Sequence, residues 1–166
     1  GDDVSGALIT AAERGVTCRL LLDSLGSKEF LQSSTCDELR NAGVHVTAAL
    51  PANLLRAFFA RVDLRNHRKI SVIDNTIGYM GSNNIAEKAF AIKPKFAPWV
   101  DASVRLTGPI VRELQAIFVQ DWCLDTNDDL DAILKESIEI DEKGLPAQLM
   151  PTGPNSNNLA LSQLLQ

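Results

Sequence analysis

The run NHRKISVIDNTIGYMGSNN, residues 66 to 84, limits what this chain can fold into more than any other stretch. Two segments rich in apolar residues, His67 to Ile73 and Ile77 to Gly81, flank the turn residues Asp74-Asn75, a pattern that predicts a β-hairpin. Side chains alternate along a strand, so His67 and Lys69 project to one face while Arg68, Ile70 and Val72 project to the other. Folding about the turn sets His67 opposite Ser82 or Asn83, and Lys69 opposite Met80 or Gly81, according to register. An imidazole, an ammonium, a hydroxyl and the Asn84 amide then share one end of the hairpin. Gly81, lacking a side chain, would let an incoming group come close to the backbone there.

The flanking sequence alternates between helix and strand periodicity. Asp3 to Arg14 carries Val4, Leu8 and Ala11/Ala12 at helical spacing and stops at Gly15. Val16 to Leu22 reads as a strand, followed by a loop through Gly26. Thr35-Cys36-Asp37-Glu38 has the form of a capping box, opening a short helix that ends at Gly43. Val44 to Leu50 is a second strand, and Trp99 to Thr107 alternates well enough to be another. Gly108-Pro109 then opens a helix whose buried stripe is Ile110, Leu114, Ile117, Phe118 and Trp122. Such alternation predicts an α/β fold with a sheet flanked by helices.

Charge is uneven. The net charge is −5, which argues against a general nucleic-acid binder. Yet Arg56, Arg61, Arg65, Arg68 and Lys69 stand against the single acid Asp63, and a local basic stretch in an acidic chain suggests one bound anionic group. Asp121 to Lys143 carries nine acids against two lysines, and the acidic stretch after the Trp122 helix reads as a solvated helix or linker. Leu54 to Val62 is basic and amphipathic; it reads as a packed helix with its arginines in water, or as a segment dipping into an anionic membrane surface. No apolar run approaches the roughly 20 residues of a membrane span, and no signal sequence opens the chain, which reads as soluble. Cys18, Cys36 and Cys123 match no metal or redox spacing and read as reduced packing residues of a cytosolic protein. His45, inside Val44-His45-Val46, reads as a surface or packing residue, and the two histidines are too isolated for a zinc site.

The groups at the hairpin end suit phosphoryl chemistry. Lys69 and Asn84 can hold non-bridging oxygens as charge develops on them. An imidazole can attack phosphorus directly, splitting one hard displacement into two easier ones. Protonating the leaving oxygen and activating the acceptor then require an acid and a base. One histidine cannot serve as nucleophile and acid in the same step, so a second is needed.

His67-x-Lys69-x4-Asp74 followed by Gly81-Ser82-x-Asn84 resembles the HKD signature of the phospholipase D superfamily. The segments Ala12 to Ser27, Arg40 to Val44, Asp63 to Lys69 and Trp99-Val100-Asp101 look like the first half of bacterial cardiolipin synthases. The resemblance implies a mixed sheet flanked by helices, forming one half of a pseudo-twofold pair whose two HKD motifs meet at one site without metal or cofactor. It implies His67 as nucleophile, Lys69 and Asn84 as phosphate holders, and Asp74 as a more structural member of the motif. Gly81 and Ser82 support them, and Asp101 stands where the family places a carboxylate that orients the histidine.

The same resemblance implies a substrate, phosphatidylglycerol, and transfer of its phosphatidyl group to a second molecule with release of glycerol. It implies a parent enzyme at the bacterial cytoplasmic membrane. The chain opens on a helix with no strand before it and finishes inside the helical-looking run Asn158 to Gln166. It therefore reads as an excerpt: residues 1–124 a first half lacking its first strand, 125–146 an acidic linker or helix, and 147–166 the start of a second half with a short strand, Gln148 to Met150. Only one motif is present, so the isolated chain is expected to be inactive without a second half or a homodimer mate. Two rival readings are a homodimeric single-motif phosphodiesterase or nuclease, and a non-catalytic module that binds anionic lipid.

Overall fold

The computed structural model describes residues 2–50, 66–85, 100–135 and 144–151. Helix α1 (Asp2–Glu13) leads into strand β1 (Arg19–Asp23), and two short helices follow, α2 (Lys28–Leu31) and α3 (Ser34–Asn41). Strand β2 (His45–Ala49) precedes the hairpin β3 (Ile70–Ile73) and β4 (Ile77–Gly81). Then come β5 (Ser103–Thr107), the long helix α4 (Ile110–Cys123) and the single turn α5 (Asp131–Leu134).

Strands β1 and β2 pair in parallel, Leu21 opposite Thr47, whereas β3, β4 and β5 form an antiparallel sheet in that order. The parallel pair is covered on both faces. On one side α1 and α3 bring Leu8, Ile9 and the fully buried Leu39 onto Cys18, Leu20 and Val44. On the other side Leu21 meets the cluster of Val119, Trp122 and Leu130 from α4 and the segment after it. Two-sided burial explains why β1 reads Arg-Leu-Leu-Leu-Asp instead of alternating. Burial also pushes the Cys18 thiol above its ordinary value, with nearby Arg14 pulling it back in part.

Helix α4 is the element common to both sheets. Val111 and Leu114 press on Gly78 in the middle of β4, where an added Cβ would stand 2.9 Å from Leu114 Cδ2. Because two sheets meet it, its buried surface exceeds the expected stripe and takes in Val111, Gln115 and Val119. Phe118 and Trp122 stack with ring centroids 5.7 Å apart.

Several boundaries differ from expectation for local reasons. Helix α3 starts earlier because the Ser33 hydroxyl, and not that of Thr35, accepts the Cys36 N–H. The loop after β1 contains α2. Strand β3 begins at Ile70, three residues later than expected, and β5 at Ser103. Residues 148–150 form no strand, and Leu149 instead lies beside Ile117 and Gln120 of α4. The acidic stretch is tied down at its start: Trp122 Nε1 donates to Asp128 Oδ2 at 2.9 Å, and Leu130 is buried. The Leu54 to Val62 segment, the start of the Trp99 strand and the run Asn158 to Gln166 lie outside the described residues.

Candidate active site

The turn of the hairpin is built by Asp74 and Asn75, both left-handed at φ 48° and 51°, closed by Thr76 N–H donating to the Ile73 carbonyl at 3.1 Å. Asn75 is buried and its Nδ2 donates to the Ile133 carbonyl at 3.3 Å, tying the turn to α5. Asp74 is exposed at this tip. At about 3.3 Å per residue it lies roughly 20 Å along the strand from His67, so the structure does not bring these two site candidates together. Asp74 serves the turn.

Register at the other end is settled by two observations. Ile70 pairs with Met80, and Gly81 N–H donates to the Lys69 carbonyl at 3.3 Å. Lys69 therefore stands opposite Gly81, and continuing the count sets His67 level with Asn83. The regular ladder has ended by then, and His67, Ser82, Asn83 and Asn84 are all exposed on the same end of the sheet. Lys69 Nζ turns back along its own strand to donate to the His67 carbonyl at 2.8 Å.

Ser82 is committed to β5. Its N–H donates to the Ala102 carbonyl at 2.9 Å, and its hydroxyl accepts the Ala102 N–H at 2.9 Å. That hydroxyl donates to Asp101 Oδ1 at 2.7 Å. Asp101, the carboxylate expected to orient His67, is thus held on Ser82. Beside it, Ser103 Oγ donates to Asn83 Oδ1 at 2.6 Å. Gly81 has a reason other than ligand approach: a Cβ there would stand 2.7 Å from Ser103 Cα and collide with the Ala102 carbonyl and the Ser103 hydroxyl. The close neighbour is β5.

A second set of contacts, on the far side of the motif strand, was not foreseen. Arg68 Nη1 lies 2.6 and 2.7 Å from the two carboxylate oxygens of Asp121 on α4. Asn66 Nδ2 donates to the same carboxylate at 3.0 Å, and Asn66 N–H donates to Asp23 Oδ2 at 3.1 Å at the end of β1. Arg68 N–H donates to Asn66 Oδ1 at 3.1 Å. The signal lay in the helix periodicity. Asp121 falls four residues after Ile117 and seven after Leu114, an acid on the buried stripe, and such an acid requires a partner.

Among the described residues no three His, Cys, Asp or Glu side chains gather closely enough to hold a metal ion. No described helix is long and apolar enough to cross a membrane.

A family model described as cardiolipin synthase, phospholipase D-like domain, matches residues 1–122. Cardiolipin synthase A of Wigglesworthia glossinidia brevipalpis is 39% identical over 163 residues, which is 95% of this chain and 33% of that protein. The proteins of the same name from Buchnera aphidicola and Erwinia tasmaniensis are 46% and 47% identical over 126 residues, 75% of this chain and 26% of each of theirs. The chain spans a quarter to a third of the length of these relatives. No solved structure matches it.

Proposed function

The chain belongs to the phospholipase D-like domain family of cardiolipin synthases, and on that premise we propose that it supplies one half-site of a phosphatidyltransferase. The substrate is phosphatidylglycerol at a membrane surface, and the product is cardiolipin. A His67 ring nitrogen attacks phosphorus and the bond to the glycerol oxygen breaks; glycerol leaves, taking a proton from an acid on the complementary half. A second phosphatidylglycerol then gives up a hydroxyl proton to a base, and its oxygen displaces the imidazole, forming cardiolipin and freeing His67. Lys69 and Asn84 hold the non-bridging oxygens through both steps. Ser82 and Asp101 form the adjoining wall.

The observation that carries this reading is the register: Gly81 N–H on the Lys69 carbonyl draws the His67–Lys69 end to the Ser82–Asn84 end. The complementary half belongs to the same parent chain or to a homodimer mate, and residues 1–124 constitute the first half, with 125–146 leading out of it. The parent acts at the bacterial cytoplasmic membrane.

The test is to incubate the purified chain, alone and mixed with the complementary half, with phosphatidylglycerol in detergent micelles, and to identify lipid products by mass spectrometry. Cardiolipin and glycerol are expected from the mixture. Their appearance from the chain alone would establish a homodimeric site. Their absence from an associated mixture would overturn the transferase reading in favour of another phosphodiester substrate or a lipid-binding role.

A further inference from the structure

We propose that Asp121 is a positioning residue for His67, a role that rests on the reading of His67 as nucleophile. His67 is flanked in sequence by two residues that Asp121 binds, Asn66 and Arg68. In extended chain, residues one before and one after a given position project to the face opposite it. Fastening both neighbours to one carboxylate therefore fixes the backbone on each side of His67 and leaves its imidazole on the open face.

Three further observations make this a built arrangement. The Asp121 and Arg68 side chains are only 15% and 30% exposed, unlike the Arg40–Asp37 pair at 43% and 70%, so water screens the contact less. The clamp is closed internally, Arg68 N–H returning to Asn66 Oδ1, and Asn66 N–H is pinned from a third element by Asp23. Asp121 itself sits on α4, one residue before Trp122, which is 1% exposed and anchored by its indole N–H to Asp128. A deeply buried part of α4 is thus coupled by one carboxylate to residues 66–68, which precede the Lys69–Gly81 pair that ends the ladder. His67 lies two residues beyond the Lys69–Gly81 pair, and Asp121 holds the residues on either side of it.

The consequence is kinetic. In-line attack on phosphorus requires the nucleophile in a narrow range of positions, and a displacement of about 1 Å can cost about a hundredfold in rate. Phosphatidylglycerol binding rests on Lys69, whose carbonyl is held separately by Gly81 N–H, on Asn84 and on the membrane surface, so it depends less on that placement.

The experiment uses the full-length protein assayed with phosphatidylglycerol in detergent micelles, comparing Asp121→Ala, Asp121→Asn, Asn66→Ala, His67→Ala and Val44→Ala. Val44→Ala is the stability control, since Val44 is buried in the separate cluster with Cys18 and Leu39. Asp121→Ala is expected to lower kcat between tenfold and a hundredfold with KM changed less than threefold. Asp121→Asn, which keeps an acceptor for Asn66, should recover part of that loss. Asn66→Ala, which leaves Arg68 paired and serves if Asp121→Ala does not fold, should lose kcat severalfold. The control should keep kcat within twofold at a comparable drop in melting temperature. Should His67→Ala be inert while the Asp121 and Asn66 variants match the control in kcat, or change KM alone, the positioning role is overturned and the nucleophile reading stands. A fully active His67→Ala would overturn both.

Discussion

Replacing Gly81 by alanine tests the geometry of the site end without touching a reacting group. The new Cβ would lie 2.7 Å from Ser103 Cα and against the Ala102 carbonyl. Ordinary contact begins near 3.5 Å, so β4 and β5 must part by most of an ångström at this point. Two of the three obstructing atoms are backbone and cannot rotate away. Parting the strands stretches the Ser82 N–H to Ala102 carbonyl bond and the Ala102 N–H to Ser82 Oγ bond, both now at 2.9 Å. A lost net hydrogen bond is worth about 1 kcal/mol and overpacking about 1–3, but fraying of the strand end relieves part of the strain, leaving roughly 2–3 kcal/mol of destabilisation. For a chain of this size that is a drop of about 4–12 °C in melting temperature. The assay is thermal and urea denaturation followed by circular dichroism. Gly6 supplies the contrast: it lies within α1 with nothing within 4 Å of an added Cβ, so Gly6→Ala should stabilise by roughly 0.5–1 kcal/mol. Equal stability of Gly81→Ala and the wild type would refute the claim that β5 occupies the space of the missing side chain.

Other expectations follow from the same contacts. Leu39→Ala, at a fully buried position between α3 and the parallel strands, should cost roughly 2–5 kcal/mol by chemical denaturation. Alkylation with iodoacetamide and peptide mapping should modify the exposed Cys123 and spare Cys18 and Cys36 in the folded chain; burial disfavours the Cys18 thiolate further. Because the Cys18 thiol is raised on folding, the unfolded chain ionises first as pH climbs through the thiol range, so this group lowers stability on the alkaline side, and Cys18→Ser should flatten that fall in a pH series of melts.

Those parts of the fold governed by local periodicity were legible in the sequence. The hairpin, its turn at Asp74-Asn75 and the parity that sends Arg68 away from His67 all follow from alternation with period two, and the structure selects the Lys69–Gly81 register from the two it left open. The stripe on α4 was visible for the same reason, but its true width was not, because nothing local records that two sheets meet one helix. Competing caps misplaced the start of α3: Ser33 and Thr35 both offer a hydroxyl, and only the geometry of Ser33 reaches the Cys36 N–H. The short run Gln148 to Met150, with Leu149 and Met150 apolar, suggested a strand because so short a run reads alike in strand and loop when tertiary contact decides it. The Asp121 clamp was hidden for a related cause. Its partners are 53 and 55 residues away in sequence, and only the misplaced charge on an apolar stripe hinted that a partner existed. Leu50 was equally silent: its left-handed backbone, φ 51°, is held by Ser24 Oγ donating to its carbonyl and by Asp125 accepting its N–H, each at 2.8 Å.

In the proposed mechanism His67 forms the bond to phosphorus. The measurement that bears on it most directly is phosphatidyl transfer by the full-length His67→Ala protein, with cardiolipin quantified by mass spectrometry and folding checked by circular dichroism. Removal of the nucleophile should abolish cardiolipin formation while the melting transition stays near that of the wild type, since His67 is exposed. Near-normal cardiolipin synthesis by a folded His67→Ala protein would contradict the account.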